Sequence, residues 1–108
     1  NRVSKISNNM FYECSSLKNV IIPDSVIEIN DFAFYQCIAL KKITIPNNIQ
    51  KIGEHAFYQC LSLKNIKIPD NITEIGYNAF PDNCCITKSK DRIVFKDLMS
   101  SFRTKIFL

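Results

Sequence analysis

Apolar positions recur along the chain at a fixed step of 23 residues. Phe11, Phe34, Phe57 and Phe80 keep this step without drift. Further apolar, cysteine or proline columns in the same register begin at Val3, Ile6, Cys14, Leu17, Val20, Ile22 and Pro23. Self-similarity at a period of 20 to 50 residues is the mark of a repeat architecture, in which each repeat is one supersecondary unit.

Each repeat contains a short strand that ends at a proline. Ile43 and Ile45 alternate with Lys42 and Thr44, and this two-residue period predicts a strand with one face turned inward. Pro46 ends the strand because proline cannot donate a ladder hydrogen bond. An Asp or Asn follows each such proline, which is typical of a turn.

A second, bent extended stretch is predicted after the turn, where Ile49 and Ile52 lie three residues apart. Gly53 and Gly76 follow this stretch, and Asn30 occupies the same offset one repeat earlier. Because Gly adopts a positive φ freely and Asn does so next most easily, the offset predicts a corner with positive φ.

The last part of the repeat is predicted to be a short helical turn. Phe34, Cys37 and Leu40 are spaced by three residues, which places them on one side of such a turn. Phe34, Phe57 and Phe80 are each preceded by an alanine, and these small residues permit close packing.

One coil of 23 residues cannot bury its apolar side alone, so the coils must stack into a solenoid. We assign residues 1–86 to the solenoid, with about four coils, and residues 87–108 to a C-terminal cap. Within the cap, 92–95 is predicted as a strand, and one side of a predicted helix carries Phe95, Leu98, Met99, Phe102 and Ile106. The alternative for this tail is a basic amphipathic segment that contacts a membrane or another subunit.

The segment from Leu40 to Cys60 resembles the BspA-like, or Treponema-type, leucine-rich repeats. Its pattern is Leu-x-x-Ile-x-Ile-Pro-x-x-Ile-x-x-Ile-Gly-x-x-Ala-Phe-x-x-Cys. The departures are Asn30 in place of Gly, Pro81 after the last Phe, and Cys84 one residue late. The resemblance implies a right-handed superhelix of parallel strands. It also implies a surface-exposed or secreted protein that adheres to host or matrix proteins.

Composition and charge fit this interpretation. The chain has 108 residues, with 46% hydrophobic and 22% charged residues, and contains no apolar run long enough for a membrane span. It has neither an initiating Met nor a secretory segment, so we expect a fragment or a processed end of a longer protein. The formal charge of +4 comes from the tail beyond Cys85, because the repeats themselves are neutral.

The sequence contains no pattern typical of catalysis. Cys14, Cys37 and Cys60 belong to the repeat and are predicted to pack inward as small apolar side chains, while Cys84 and Cys85 lie off this column. The spacing for a zinc site and a phosphate-binding loop are both absent. His55, the only histidine, occupies a variable offset that we expect to be exposed. We therefore predict no enzyme activity, no cofactor and no metal site.

Binding is predicted on the outward residues of the first strand, which form a continuous face in a stack of coils. This surface, called the strand face below, comprises Asn19, Ile21, Lys42, Thr44, Asn65 and Lys67, edged by Lys18, Lys41 and Lys64. A row of tyrosines, Tyr12, Tyr35 and Tyr58, is a second candidate, although these rings are also suited to pack against phenylalanines of neighbouring coils.

The sequence is compatible with three functions. The first is a non-catalytic module that binds a protein partner at the cell surface or outside the cell. The second is a polyanion-binding module, in which the lysines contact a sulfated glycan. The third is an architectural spacer or an intracellular scaffold. No nucleic-acid partner is expected.

Overall fold

A computed structural model of the protein describes residues 3–70, 72–82, 84–88 and 106–107. The fold is a parallel β-solenoid, as predicted. The strands are β1 Lys5–Ile6, β2 Asn19–Ile21, β3 Glu28–Ile29, β4 Lys42–Thr44, β5 Lys51–Ile52, β6 Asn65–Ile68, β7 Glu74–Ile75, β8 Cys85–Lys88 and β9 Ile106–Phe107. Coils 1 to 4 are named below by their central rings, Phe11, Phe34, Phe57 and Phe80.

The first strand of each coil lies beside its equivalent in the next coil. β2 and β4 form a parallel ladder with Val20 opposite Ile43, a register of one repeat. β6 and β8 form a second parallel ladder, in which Ile66 lies opposite Ile86. The last coil is therefore three residues shorter than the others between equivalent strand positions.

The two-residue strands that follow the proline turn form a separate sheet. β1, β3, β5 and β7 pair in parallel order, with Ile6, Ile29, Ile52 and Ile75 in register. The predicted second extended stretch is thus confirmed. The proline turns are also present, since the N–H of Val26 donates to the Pro23 carbonyl over 3.1 Å.

The core between the two strand columns consists of stacked apolar side chains. Phe11 and Phe34 stack with ring centroids 5.1 Å apart, and Phe34 and Phe57 stack at 5.2 Å with nearly parallel planes. Phe80 continues the stack beyond Phe57 at 6.1 Å. Phe34 and Phe57 are fully buried, so each internal coil fills its centre with one aromatic ring.

The predicted short helical turn is wrong in detail, because the described residues contain no helix. The N–H of Ala33 donates to the Asn30 carbonyl, and the N–H of Cys37 donates to the Phe34 carbonyl. Phe32 and Gln36, the third residues of these two turns, have φ of 60° and 56°. Consecutive turns with a positive φ at the third position place Phe34, Cys37 and Leu40 on one side of the chain, as a helical turn would, without forming a helix.

Gly53 and Gly76 do not provide the positive φ that the sequence predicts. Neither glycine has a positive φ. A Cβ on Gly53 would instead lie 2.4 Å from Oδ1 and 2.7 Å from the backbone N of Asp31, and a Cβ on Gly76 would lie 2.4 Å from the backbone N of Glu54. Glycine is favoured at these two positions because the preceding coil lies too close to accommodate a Cβ.

One column of polar side chains links consecutive coils beside these glycines. Oδ1 of Asn8 accepts a hydrogen bond from the N–H of Asp31 over 3.0 Å. Oδ1 of Asp31 in turn accepts from the N–H of Glu54 over 2.9 Å. Because each side chain satisfies a backbone donor one repeat later, these bonds stabilise the stacking of one coil on the next.

The predicted C-terminal cap can be compared with the structure at only a few residues. The tail residues 89–105, including the expected strand at 92–95, lie outside the described residues. Ile106, expected on a helix, belongs instead to β9, where it lies antiparallel opposite Ile75 of β7. The boundary between residues 86 and 87 stays a prediction, although β8 runs across it.

Candidate protein-binding face

The structure places every residue of the predicted strand face at the surface. Exposed side chains are found at Asn19, Ile21, Lys42, Thr44, Asn65, Lys67, Lys18, Lys41 and Lys64. Between them, the inward residues Ile43 and Ile66 are buried. The alternation of buried and exposed positions in β4 and β6 therefore creates a polar outer surface on an apolar interior.

The strand face carries five lysines and is therefore basic. Among the described residues, no salt bridge is made to any of its five ammonium groups. The second sheet differs, because Lys5, Glu28, Lys51 and Glu74 alternate in sign along its register. Opposite charges on adjacent strands attract one another, whereas the edge of the strand face repeats lysine in successive coils, at Lys18, Lys41 and Lys64.

A groove of about 490 Å³ opens on the strand face between β4 and β6. It lies where the two ladders are separate, since β4 pairs with β2 and β6 pairs with β8. Lys42 and Thr44 line one side, Lys67 lines the other, and Asp70 contributes a carboxylate at the proline-turn end. The groove brings together two lysines that are 25 residues apart in the sequence.

Ile21 is the most exposed large apolar side chain described, at 81%. It lies on the strand face opposite Thr44 of the next coil, and its position beside lysines makes it a candidate apolar anchor. Sequence reasoning missed two other exposed apolar side chains, Ile38 and Leu61, which share one column. Their equivalent in the first coil is Ser15, so the period alone did not mark this column as apolar.

The tyrosine row forms a stacked ladder along the turns. Tyr12 and Tyr35 stack at 5.0 Å, and Tyr35 and Tyr58 stack at 5.9 Å. Tyr12 is 44% exposed, while the other two rings are half-buried. The tyrosines therefore pack chiefly on one another, and their edges form part of the surface.

His55 is not at an exposed position, contrary to the prediction. Its imidazole is half-buried, stacks on Phe32 at 4.9 Å, and contacts Tyr58 and Tyr77 edge-on at 5.0 and 5.4 Å. Its Nδ1 is buried without a hydrogen-bond partner among the described residues. The ring thus serves as one member of an aromatic cluster.

The cysteine column is inward, as expected, but its thiols also form hydrogen bonds. Sγ of Cys37 donates to the Phe11 carbonyl over 3.1 Å, and Sγ of Cys60 donates to the Phe34 carbonyl over 3.0 Å. All five cysteines are free thiols. Contact with the Cys37 thiol, together with burial, raises the pKa of Cys60, so this thiol stays protonated at neutral pH. Cys84 is buried and Cys85 is half-buried.

No group of three or more His, Cys, Asp or Glu side chains in the described ranges is arranged to hold a metal ion. No helix in those ranges has the length and apolar character needed to cross a membrane.

Comparison with solved structures finds leucine-rich repeat proteins of bacteria. A leucine-rich repeat protein of Bacteroides ovatus is 35% identical, with a TM-score of 0.72, over 79% of this chain and 22% of its own. The Treponema pallidum leucine rich repeat protein is 31% identical, with a TM-score of 0.69, over 81% of this chain and 46% of its own.

A third solved structure, a leucine rich cell surface protein of Faecalibacterium prausnitzii, is 40% identical, with a TM-score of 0.72. The match covers 77% of this chain and 22% of that protein. This chain therefore spans less than half the length of each of these structural relatives. No curated protein matches the sequence.

The family comparison covers the whole sequence. Residues 1–108 match the BspA type leucine rich repeat region, with 6 copies of the repeat. This match agrees with the 23-residue register of the strands and with the three similar structures. The chain belongs to the BspA-type leucine-rich repeat family.

Proposed function

We propose that this chain is a non-catalytic protein-binding module that binds an acidic segment of a host or matrix protein through the strand face. The groove between β4 and β6 is the observation that carries the proposal. Lys42 and Lys67 flank this groove, and Thr44 adds a hydroxyl that can donate or accept a hydrogen bond. An extended segment bearing carboxylates matches this arrangement in both charge and shape.

An apolar contact beside the groove would supply affinity that salt does not screen. Ile21 is exposed on the same face, and burial of an exposed isoleucine at an interface contributes roughly 1.5 to 3 kcal/mol in favourable cases. Rim lysines chiefly raise the association rate and determine orientation. The proposed interface therefore combines an apolar anchor near Ile21 with a basic groove that selects an acidic partner.

We place the module in an adhesin-type protein at the cell surface or outside the cell. The supporting observations are the family and the Faecalibacterium relative, which is described as a cell surface protein. Because this chain spans only part of each relative, it represents one portion of the surface that such a protein would present.

A polyanion such as a sulfated glycan is the second candidate ligand. The observation that favours it is the row of five lysines without a salt bridge in the described part of the chain. A purely electrostatic complex loses affinity steeply with salt, by about ten-fold or more between about 50 and 200 mM, whereas an interface with an apolar anchor weakens modestly.

A binding screen separates these functions. The purified chain is tested at about 50 and 200 mM salt against immobilised matrix proteins, host-cell surfaces and heparin. Saturable binding to a protein that persists at high salt is the expected result. Binding to heparin alone that disappears at high salt would replace the proposal with the polyanion function. The absence of any binding would favour an architectural spacer or scaffold.

A further inference from the structure

The first coil contains a notch in the aromatic column that runs beside the tyrosine ladder. Asn9, Phe32, His55 and Asn78 occupy equivalent positions, and all four have a positive φ. Asn9, Tyr12 and Phe32 line a surface cavity of about 490 Å³.

The neighbouring coils show what kind of group fits at this position. In coil 2 the position holds Phe32, whose ring stacks on His55 of the following coil at 4.9 Å and 5° between planes. The same ring contacts Tyr35 of its own coil edge-on at 5.4 Å. His55 repeats the arrangement in coil 3, where it meets Tyr58 edge-on at 5.0 Å.

Coil 1 has the surroundings for such a ring but not the ring itself. Asn9 occupies the position with a short amide side chain, which leaves the coil 1 side of Phe32 open to the cavity. Tyr12 occupies the position equivalent to Tyr35 and Tyr58 of later coils, and the three rings stack in register. One aromatic ring placed in the notch would therefore stack on Phe32 and contact Tyr12 edge-on.

We infer that the notch formed by Asn9, Tyr12 and Phe32 is a binding site for an aromatic side chain of a partner protein. Stacked and edge-on contacts are the preferred geometries of aromatic pairs, and the notch offers both at once. The Asn9 amide can hydrogen-bond to the polar end of a tyrosine or tryptophan. The inference rests on the proposed function only in taking the partner to be a protein.

NMR titration of the intact chain with N-acetyl-tyrosine amide tests the site, with N-acetyl-leucine amide as the matched non-aromatic probe. The expected result is a set of amide shift changes at Asn9, Tyr12 and Phe32. The tyrosine probe should bind about five-fold more tightly than the leucine probe, given the usual strength of aromatic pairing. Equal binding of both probes, or no shift changes at these residues, would overturn the inference.

Two variants locate the bound ring. Asn9→His fills the notch from within, and histidine tolerates this backbone conformation because His55 adopts a φ of 55°. Phe32→Leu keeps an apolar side chain but removes the ring on which the probe stacks. Both variants should lose the preference for the aromatic probe while retaining the wild-type circular dichroism spectrum. Retention of the preference in a folded Phe32→Leu protein would contradict the assignment.

A strand-face variant separates this inference from the proposed function. Lys42→Gln combined with Lys67→Gln should leave probe binding unchanged, because neither lysine lines the notch. Probe binding without any binding to matrix proteins would retain the site and reject the proposed function. Binding to a matrix protein without probe binding would retain the function and reject the site.

Discussion

Asp31 and Glu54 are joined across two coils by a hydrogen bond from the backbone N–H of Glu54 to Oδ1 of Asp31, with a length of 2.9 Å. Gly53 directly precedes this donor, and a Cβ on it would lie 2.4 Å from the same oxygen. The glycine and the aspartate thus form one structural unit that determines how closely coil 3 approaches coil 2.

The first prediction concerns this acceptor. Asp31→Ala should lower the free energy of unfolding by about 1 kcal/mol, since a backbone donor loses its partner. Asp31→Asn is the matched control, because an amide oxygen serves the same purpose at Asn8 in the preceding coil. Chemical denaturation measures both. Equal losses in the two variants would show that the hydrogen bond contributes nothing.

The second prediction concerns the glycine beside it. Gly53→Ala should destabilise the protein by about 1 to 3 kcal/mol, because the added methyl group would force two backbones apart. If the column existed for a positive φ, alanine at a position without one would be tolerated or even stabilising. Thermal unfolding of Gly53→Ala distinguishes the two explanations, and an unchanged or higher Tm would contradict the close-approach explanation.

A third prediction tests the thiol hydrogen bonds. Cys60→Ser keeps a donor that can reach the Phe34 carbonyl, whereas Cys60→Ala removes the donor and leaves a small cavity. We expect the alanine variant to be the less stable of the two, by about 1 kcal/mol in urea denaturation. If the cysteine acts only as a small apolar side chain, the order should be reversed, because serine buries a hydroxyl in an apolar site.

The central phenylalanine provides a fourth prediction. Phe57 is fully buried between Phe34 and Phe80, so Phe57→Ala should cost about 3 to 5 kcal/mol. Lys42→Ala, on the strand face, should change stability by less than about 0.5 kcal/mol. The two variants are compared by denaturant unfolding under identical conditions. Similar losses would mean that the inward and outward faces have been exchanged.

The period of the sequence sufficed to predict the coils, because stacked coils place equivalent residues above one another. Phe34, Cys37, Leu40 and Ile43 are all buried, and so are their equivalents in coil 3, as their apolar character required. The exposed residues of β4 and β6 followed from the same alternation. These features depend on which side chains avoid water, and the sequence carries that information directly.

Other features depend on contacts between the backbones of different coils. Such contacts cannot be predicted from the type of residue at a position. A glycine indicates either a positive φ or a close approach, and only the positions of Asp31 and its neighbours decide between them. The three-residue spacing of Phe34 and Cys37 fits linked turns as well as a helix. The shorter last coil and the groove near Lys67 likewise depend on how neighbouring strands pair.

The most direct test of the strand face as the binding surface compares two double variants, each of which removes two lysine charges. Lys42→Gln with Lys67→Gln removes two charges at the groove, and Lys5→Gln with Lys51→Gln removes two charges from the alternating column of the second sheet. The readout is Kd for whichever matrix protein binds the wild-type chain, measured at about 50 mM salt. We predict that the first pair weakens binding about ten-fold or more and the second less than about two-fold. Equal weakening by both pairs, or a larger effect of the second, would contradict the assignment of the strand face.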